Sequence, residues 1–373
     1  MEFSADTKSL ADALDQVQEA VEKKSAIPIL SHVLVEASPN GLRLAATDLE
    51  MGIRTFCPVP PCGIKVPGSA AVPARPFLDI VRSLPEGEIR VRALENHWVQ
   101  VSAGRSVFKL AALAKDNFPA LPDVPKALAE VPAGVLAGLI DRTAFAISNQ
   151  ESRYTLNGAL LVLKPGRVEM VATDGSRLSL AVRETDIAGL KKDERMFVPR
   201  RALGALRRLA DAQESDTPIK IARDDSHLFF SAADSIVITR LLSGQFPNYE
   251  TVLPQSNSIV LTLDAAGFRE ALARVSLLAP EQSHGVCLAL ERGQLTLSTA
   301  GGDAGEAVES MDAAYGGDAM RVAFNCLFLL DFLGVVKSGQ VEIALKDNQS
   351  AADLRPADLD QYRWRYVVMP MRL

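Results

Sequence analysis

The chain has 373 residues, 48% of them apolar and 23% charged, with a net charge of −6. That composition excludes a disordered, collagen-like or disulfide-stapled chain and predicts two or three domains, each long enough to build a core. The negative total also argues against a protein coated in nucleic acid, although it is compatible with a local basic surface.

In chain order, "MEFSADTKSLADAL" has no basic start followed by an apolar run, so no secretory leader is expected. "DTKSLADALDQVQEAV" spaces its apolar residues as an amphipathic helix. Alternating strands follow, broken by a turn at "SPNG" and leading into "LAATDLEMGI". A second helix starts at "VPARPFLDIVRSL", more strands follow in "IRVRAL…HWVQVSA", and a Pro-rich join closes the unit at "FPALPDVPKALAEVPAG".

The series then begins again. "PAGVLAGLIDRTAFAIS" reads as a helix, "KPGR" as a turn, "MVATDGSRLSL" as a copy of the earlier phrase and "VPRRALGALRRLA" as the second helix. Thr47 and Thr173 are 126 positions apart, as are Val72 and Val198, and Leu34 and Leu160. Phe118-Pro119 and Phe246-Pro247 are 128 apart. A fainter third copy runs through "DAAGFREALARVSLLA", "GVCLALERGQLTLST" and "AFNCLFLLDFLGVV". The repeat predicts domains at 1–125, 126–254 and 255–373, because an ordered series at constant offset implies duplication.

Each unit reads as helix, strands, helix, strands, itself an approximate doubling. The predicted class is α+β, three tandem copies with helices on one face of antiparallel sheets. A closed arrangement is favoured, since closure hides sheet edges. The longest apolar run, Phe324 to Val336, has 13 residues including Asp331, too short and too polar to span a bilayer. A cytoplasmic location is expected, with no membrane partner.

Catalytic chemistry is hard to find. His32, His97, His227 and His284 do not recur with the repeat, and no P-loop, H-E-x-x-H, G-x-S-x-G or dinucleotide fingerprint is present. Cys57, Cys62, Cys287 and Cys326 form no C-x-x-C pair and read as reduced thiols, mostly in cores. No metal and no cofactor is expected. Asp48 and Asp174 recur, but each follows a strand and precedes a turn, where Asp bonds its own backbone. "AGGDAGEA" reads as a surface loop.

Positive charge gathers on helices. Arg200, Arg201, Arg207 and Arg208 share one, and Arg75, Arg82, Arg269 and Arg274 lie on others, whereas acids concentrate in segments such as "DAQESD" and "PADLD". Such a face suits phosphates without reading sequence. The end of the chain, "RWRYVVMPMRL", carries an apolar, Met-rich segment that either docks in a core or lines a partner groove. A dispersed-acid hydrolase or nuclease and a monomeric peptide-binding repeat protein remain as alternatives.

The triple unit, "RYTLNG", "ATDGSRL", "FPNYETVLP" and the terminal "YVVMPMRL" resemble the bacterial DNA polymerase III beta subunits, the sliding clamps, from the first helix to the last residue. That resemblance implies a non-catalytic head-to-tail homodimer forming a ring around duplex DNA, lined by helices, which tethers a polymerase. It implies DNA contacts at Lys24, Arg75, Gln150, Tyr154, Arg200, Arg201 and Arg208. It implies a groove for short peptides of polymerases, the clamp loader and mismatch-repair proteins. Its walls would be Leu156, Thr173, Gly175, Ser176, Arg177 and Leu178, then Pro247, Val252, Asn325 and Phe328. Val367, Met369, Pro370, Met371, Arg372 and Leu373 would complete it, with Arg177 and Arg372 orienting the peptide. The subunit contact would join Phe108 and Leu110 to Leu277 and Leu278. Ser176, Thr251, Ser283 and Phe328 depart from the commonest family pattern, which bears on peptide preference.

Overall fold

The computed structural model describes residues 1–22, 26–150, 152–242, 244–300, 305–336, 339–358 and 361–372. Among the described residues, six α-helices stand where the repeat puts two per unit. They are α1 (Thr7–Gln18), α2 (Ala74–Ser83), α3 (Ala133–Thr143), α4 (Arg200–Asp211), α5 (Ala265–Ser276) and α6 (Cys326–Val336). Local chemistry starts two of them alike. Asp6 accepts the Ser9 N–H at 2.9 Å ahead of α1, and Asp264 accepts the Gly267 N–H at 2.7 Å ahead of α5, satisfying helix donors that lack an internal partner. None of the helices is long and apolar enough to cross a membrane, among the described residues.

The chain forms two compact units. The first comprises 1–137, 188–191 and 201–241; the second comprises 138–187, 192–200 and 242–373. In the first unit, Ile64–Val66, Glu2–Asp6, Glu88–Ala93, Trp98–Ala103 and Ser106–Ala111 lie side by side in a five-stranded sheet. An eight-stranded sheet runs Gly68–Pro73, His32–Ser38, Gly41–Thr47, Met51–Cys57, Ser235–Arg240, His227–Ala232, Pro218–Arg223 and Ala129–Pro132. The core of this unit includes Phe3, Leu14, Phe77, Phe229 and Phe230, all buried, and α1 packs against α2 and Met51–Cys57.

The second unit repeats that eight-stranded order. It runs Glu194–Pro199, Gly158–Lys164, Arg167–Thr173, Arg177–Glu184, Tyr362–Val368, Ala352–Pro356, Gln340–Leu345 and Ile259–Asp264. Its remaining sheet has four strands, Met320–Asn325, Gly285–Glu291, Gln294–Ala300 and Glu306–Asp312. The registers repeat along with the order: Leu34 faces Ala45 and Leu160 faces Val171, while Ala45 faces Arg54 and Val171 faces Leu180. Each eight-stranded sheet therefore joins the outgoing half of one repeat to the incoming half of the next, a join that a linear repeat does not reveal.

Of the cysteines, Cys57 and Cys326 are buried, Cys287 is half-buried and Cys62 is exposed, and all are free thiols. Burial pushes the Cys57 thiol up to about 12, so it stays protonated and inert. Of "AGGDAGEA", expected as a loop, 301–304 fall outside the described residues, while Ala300 ends the strand Gln294–Ala300 and Glu306 and Ala307 begin the strand Glu306–Asp312. His32 is buried with Nδ1 2.7 Å from the Pro28 carbonyl, and burial holds its imidazole below the ordinary value despite that bond. A folded state that prefers the neutral ring loses stability as pH falls below the unfolded value of about 6.5. His32→Gln should therefore shallow the drop in melting temperature between about pH 7 and pH 5. Thermal melts at matched ionic strength check this, and an unchanged slope would exclude His32 as a contributor.

Candidate functional site

The phrase repeated at Thr47 and Thr173 builds the same turn twice. Thr173 Oγ1 donates to the Arg177 carbonyl at 2.6 Å and accepts the Gly175 N–H, while Asp174 Oδ1 accepts the N–H groups of Ser176 and Arg177. Thr47 and Asp48 make the matching set with Met51, Leu49 and Glu50. Gly175 has φ +93°, and its counterpart Leu49 holds φ 77°, a conformation that suits glycine far better. These aspartates are turn formers, as their sequence context suggests.

The copies part at the next residues. Arg177, whose side chain is 7% exposed, bonds Asp174 at 3.0 Å, Asp331 of α6 at 2.6 Å, the Phe145 carbonyl at 2.7 Å and Tyr366 Oη at 3.3 Å. Its guanidinium also lies 4.3 Å from the Phe328 ring centroid, within cation–π range. Burial opposes the charge, but Tyr366, Asp331 and Asp174 outweigh it and raise the arginine further above its ordinary value. Tyr366 in turn stacks on Phe332 at 5.3 Å and donates to the Phe328 carbonyl at 3.0 Å. Arg177 thus directs these donors to groups inside the protein.

Beside this hub, Leu178 pairs with Val367 across adjacent strands, and both pack in one cluster with Leu160, Val162, Val171 and Tyr249. Val252 and Met369 are exposed apolar residues and Pro247 is also exposed. A cleft of about 650 Å³ runs beside Gly244 to Glu250, lined by Leu160, Arg195, Phe197, Phe246, Pro247 and Tyr249 among others. The terminal segment is docked by its backbone: Met369 N–H donates to Ser176 O at 2.9 Å and Met371 N–H to Ala323 O at 2.7 Å. The Met371 thioether reaches Gly285, Pro370 is half-buried and Arg372 is exposed. Leu156 lies beside Gly175. Asn325 Oδ1 accepts the Leu327 N–H at 2.9 Å and so caps α6. Leu373 falls outside the described residues.

Sequence reasoning missed Tyr249, Asp331 and Tyr366. A lone acid in the apolar α6 was the available signal for Asp331. Tyr249 Oη lies 3.3 Å from Glu169, which Lys164 and Arg167 hold at 3.2 and 2.8 Å. Burial raises the Tyr249 phenol above its ordinary value.

Among the basic residues, Arg75 bonds Asp79 at 3.1 Å, Arg208 bonds Glu19 at 2.6 Å, and Arg201 bonds both Asp48 and the Glu19 carbonyl. Arg200 bonds Asn149. Gln150 and Tyr154 are exposed, and Lys24 falls outside the described residues. Leu277 is 81% exposed at the end of α5, with Leu278 half-buried beside it. Phe108 and Leu110 are half-buried on Ser106–Ala111. No cluster of metal-ligating side chains is found among the described residues.

Tandem α+β repeats that share their sheets half with half, with a docked apolar terminus beside an open cleft, define the clamp class of repeat proteins. Three family models match in order: the DNA polymerase III beta subunit N-terminal domain at 1–122, the central domain at 130–248 and the C-terminal domain at 250–372. A beta sliding clamp of Pseudomonas aeruginosa is 34% identical over 374 residues and one of Caulobacter vibrioides 34% over 383, with each chain covered completely. The crystal structure of the Pseudomonas aeruginosa DNA polymerase III subunit beta is 35% identical with a TM-score of 0.90, again over the whole of both chains. The chain belongs to the DNA polymerase III beta subunit family, the bacterial sliding clamps.

Removing Arg177 takes the cation from Asp174 and Asp331 and one of two hydrogen-bond partners from Tyr366. Arg177→Ala should cost about 3 kcal/mol, the scale for breaking a buried ion pair on one side. Tyr366→Phe, which loses only a hydroxyl, should cost about 1 kcal/mol. Denaturant unfolding checks both, and equal losses would reject Arg177 as the centre of the network.

Proposed function

We propose that two copies of this chain close head to tail into a ring around duplex DNA and tether a DNA polymerase to it as a non-catalytic processivity clamp. The observation that carries this reading is the pattern of strand edges. Four-strand halves are joined twice within the chain, and Ser106–Ala111 and Glu306–Asp312 end the two sheets left without a partner half. Unpaired strand edges invite another chain.

The internal joins also supply a register. Ser235–Arg240 pairs with Met51–Cys57 with Ile236 opposite Arg54 and Ile238 opposite Gly52. Transferred through the repeat to two copies, that register sets Val107 opposite Val308 and Lys109 opposite Glu306. Val107 and Val308 are 58% and 67% exposed, so pairing would remove both from water. Phe108, Leu110, Leu277 and Leu278 are assigned to the same joint, and the domains are drawn at 1–125, 126–254 and 255–373.

Lys24, Arg75, Gln150, Tyr154, Arg200, Arg201 and Arg208 are assigned to DNA. The ion pairs at Arg75, Arg201 and Arg208 leave each arginine more than half exposed. Such pairs are worth about 0–1 kcal/mol, so a passing phosphate can replace the carboxylate and be released again. Contacts of that strength hold a duplex without reading it or stopping it. The cleft beside Pro247, Val252, Leu178, Val367 and Met369 is assigned to short peptides of replicative and other polymerases, the clamp loader and mismatch-repair proteins, with residues carried by the family resemblance completing it. The protein acts in the cytoplasm, where bacterial DNA is replicated.

Topology tests the ring directly. The chain, loaded by its clamp loader on nicked circular DNA, should remain through gel filtration and leave when the circle is cut once. Retention on the linear product would reject encirclement. The joint has its own test: Lys109→Glu and Glu306→Lys should each raise the dimer dissociation constant, and the double variant should recover most of the loss. Sedimentation equilibrium reads this, and additive losses would reject the register while leaving the ring intact.

A further inference from the structure

The first unit carries a counterpart of the peptide cleft that differs in charge. It is a groove of about 250 Å³ over the strands His32–Ser38, Gly41–Thr47 and Met51–Cys57, crossed by the segment from Lys115 to Leu121. Leu34, Ala45 and Phe118 make its apolar part, and Glu36, Arg43, Arg54 and Lys115 its charged part. Leu34, Arg43, Ala45 and Arg54 correspond through the repeat to Leu160, Glu169, Val171 and Leu180, and the cross-strand pairs are the same in both. Two of those positions, an acid and a leucine in the second unit, are arginines here.

Glu36 stands opposite Arg43 on the neighbouring strand, but its ion pair is with Lys115. Lys115 bonds Glu36 at 2.5 Å and is largely neutralised by it. Among the described residues, neither the Arg43 nor the Arg54 guanidinium makes a hydrogen bond or ion pair. Two unpaired guanidiniums beside an apolar floor favour a carboxylate. The groove is also shorter than its counterpart. Gly52 stands where the second unit has Leu178, and Leu121 covers it, so closely that a Cβ on Gly52 would lie 2.5 Å from Leu121 Cδ2. The chain's own leucine fills the space that Leu178 fills in the other copy, leaving room for about one large apolar side chain.

We propose that this groove is a second docking site, for a short acidic peptide of a partner protein. The carboxylate lies between Arg43 and Arg54, and one bulky apolar side chain rests on Leu34, Ala45 and Phe118. The site is distinct from the cleft of the second unit and does not depend on ring closure.

The probe is Asp-Asp-Leu-benzoylphenylalanine, photo-crosslinked to the full-length chain without DNA and mapped by mass spectrometry. Crosslinks are expected within 34–45 or 118–121, falling about tenfold or more in Arg43→Gln/Arg54→Gln and in Arg43→Glu/Arg54→Glu. Both residues reach solvent, so the melting temperature should hold, and the glutamine pair guards against a fold effect of reversed charge. A peptide with Lys-Lys in place of Asp-Asp should label neither segment. Crosslinks confined to the second unit, or first-unit crosslinks indifferent to both variants, would overturn the proposal. So would displacement of the peptide by oligothymidylate at lower concentration than by unlabelled peptide, which would make the patch a nucleic-acid site.

Discussion

Every backbone N–H and C=O along a strand needs a partner, and this constraint organises the chain more than any single side chain does. One repeat cannot meet it alone. Its strands fall into two halves, of four strands each apart from the added Ile64–Val66 of the first repeat, and where repeats adjoin, one half is completed by the complementary half of its neighbour. Three repeats in one chain give two complete eight-stranded sheets and two remainders, the sheets that end at Ser106–Ala111 and Glu306–Asp312. The proposed ring applies the same rule once more, between copies. Dimerisation is then not an extra feature of the surface but the last instance of a pairing already present twice inside the protein.

A second constraint acts on the groove. Backbone pairing sets Leu178 against Val367, but it does not determine how α6 sits on those strands. Arg177 supplies that link, since one guanidinium reaches Asp174 in the turn, Asp331 on α6, Tyr366 on the last strand and the Phe145 carbonyl. A charge so enclosed is tolerable only with this many oxygens around it. The same bonds that neutralise it hold in register the segments bordering the cleft. The terminal "MPMRL" then docks on this frame through backbone bonds at Met369 and Met371, leaving the Met369 side chain outward.

The repeat, the two helices per unit and the threonine–aspartate turns were all legible in the sequence, because each depends on local chemistry or on periodicity. Asp6 and Asp264 cap helices three residues from the N–H they accept, and Thr173 bonds across four. What could not be read joins residues far apart. Asp331 lies 154 positions from Arg177, and Asp48 lies 153 from Arg201. Arg201 and Arg208 of α4 read as part of a free basic face because their carboxylate partners, Asp48 and Glu19, belong to another repeat. The half-by-half sharing of sheets was hidden for the same reason: alternation tells which face a residue takes but not which edge its strand joins.

Duplication has preserved the backbone more strictly than the side chains that point away from it. Positions 36, 43 and 54 carry Glu, Arg and Arg, and their counterparts at 162, 169 and 180 carry Val, Glu and Leu, yet the cross-strand pairs coincide. On a sheet face the ladder is indifferent to such changes provided that the inward alternation is kept, so charge can be rewritten at little cost to folding. A position covered by another segment is less free: where one copy has Leu178, the other has Gly52, and Leu121 of the crossing segment lies where a Cβ would project. One architecture can therefore offer grooves of different charge in its two units, and the difference in character lies in a few outward residues on a shared frame.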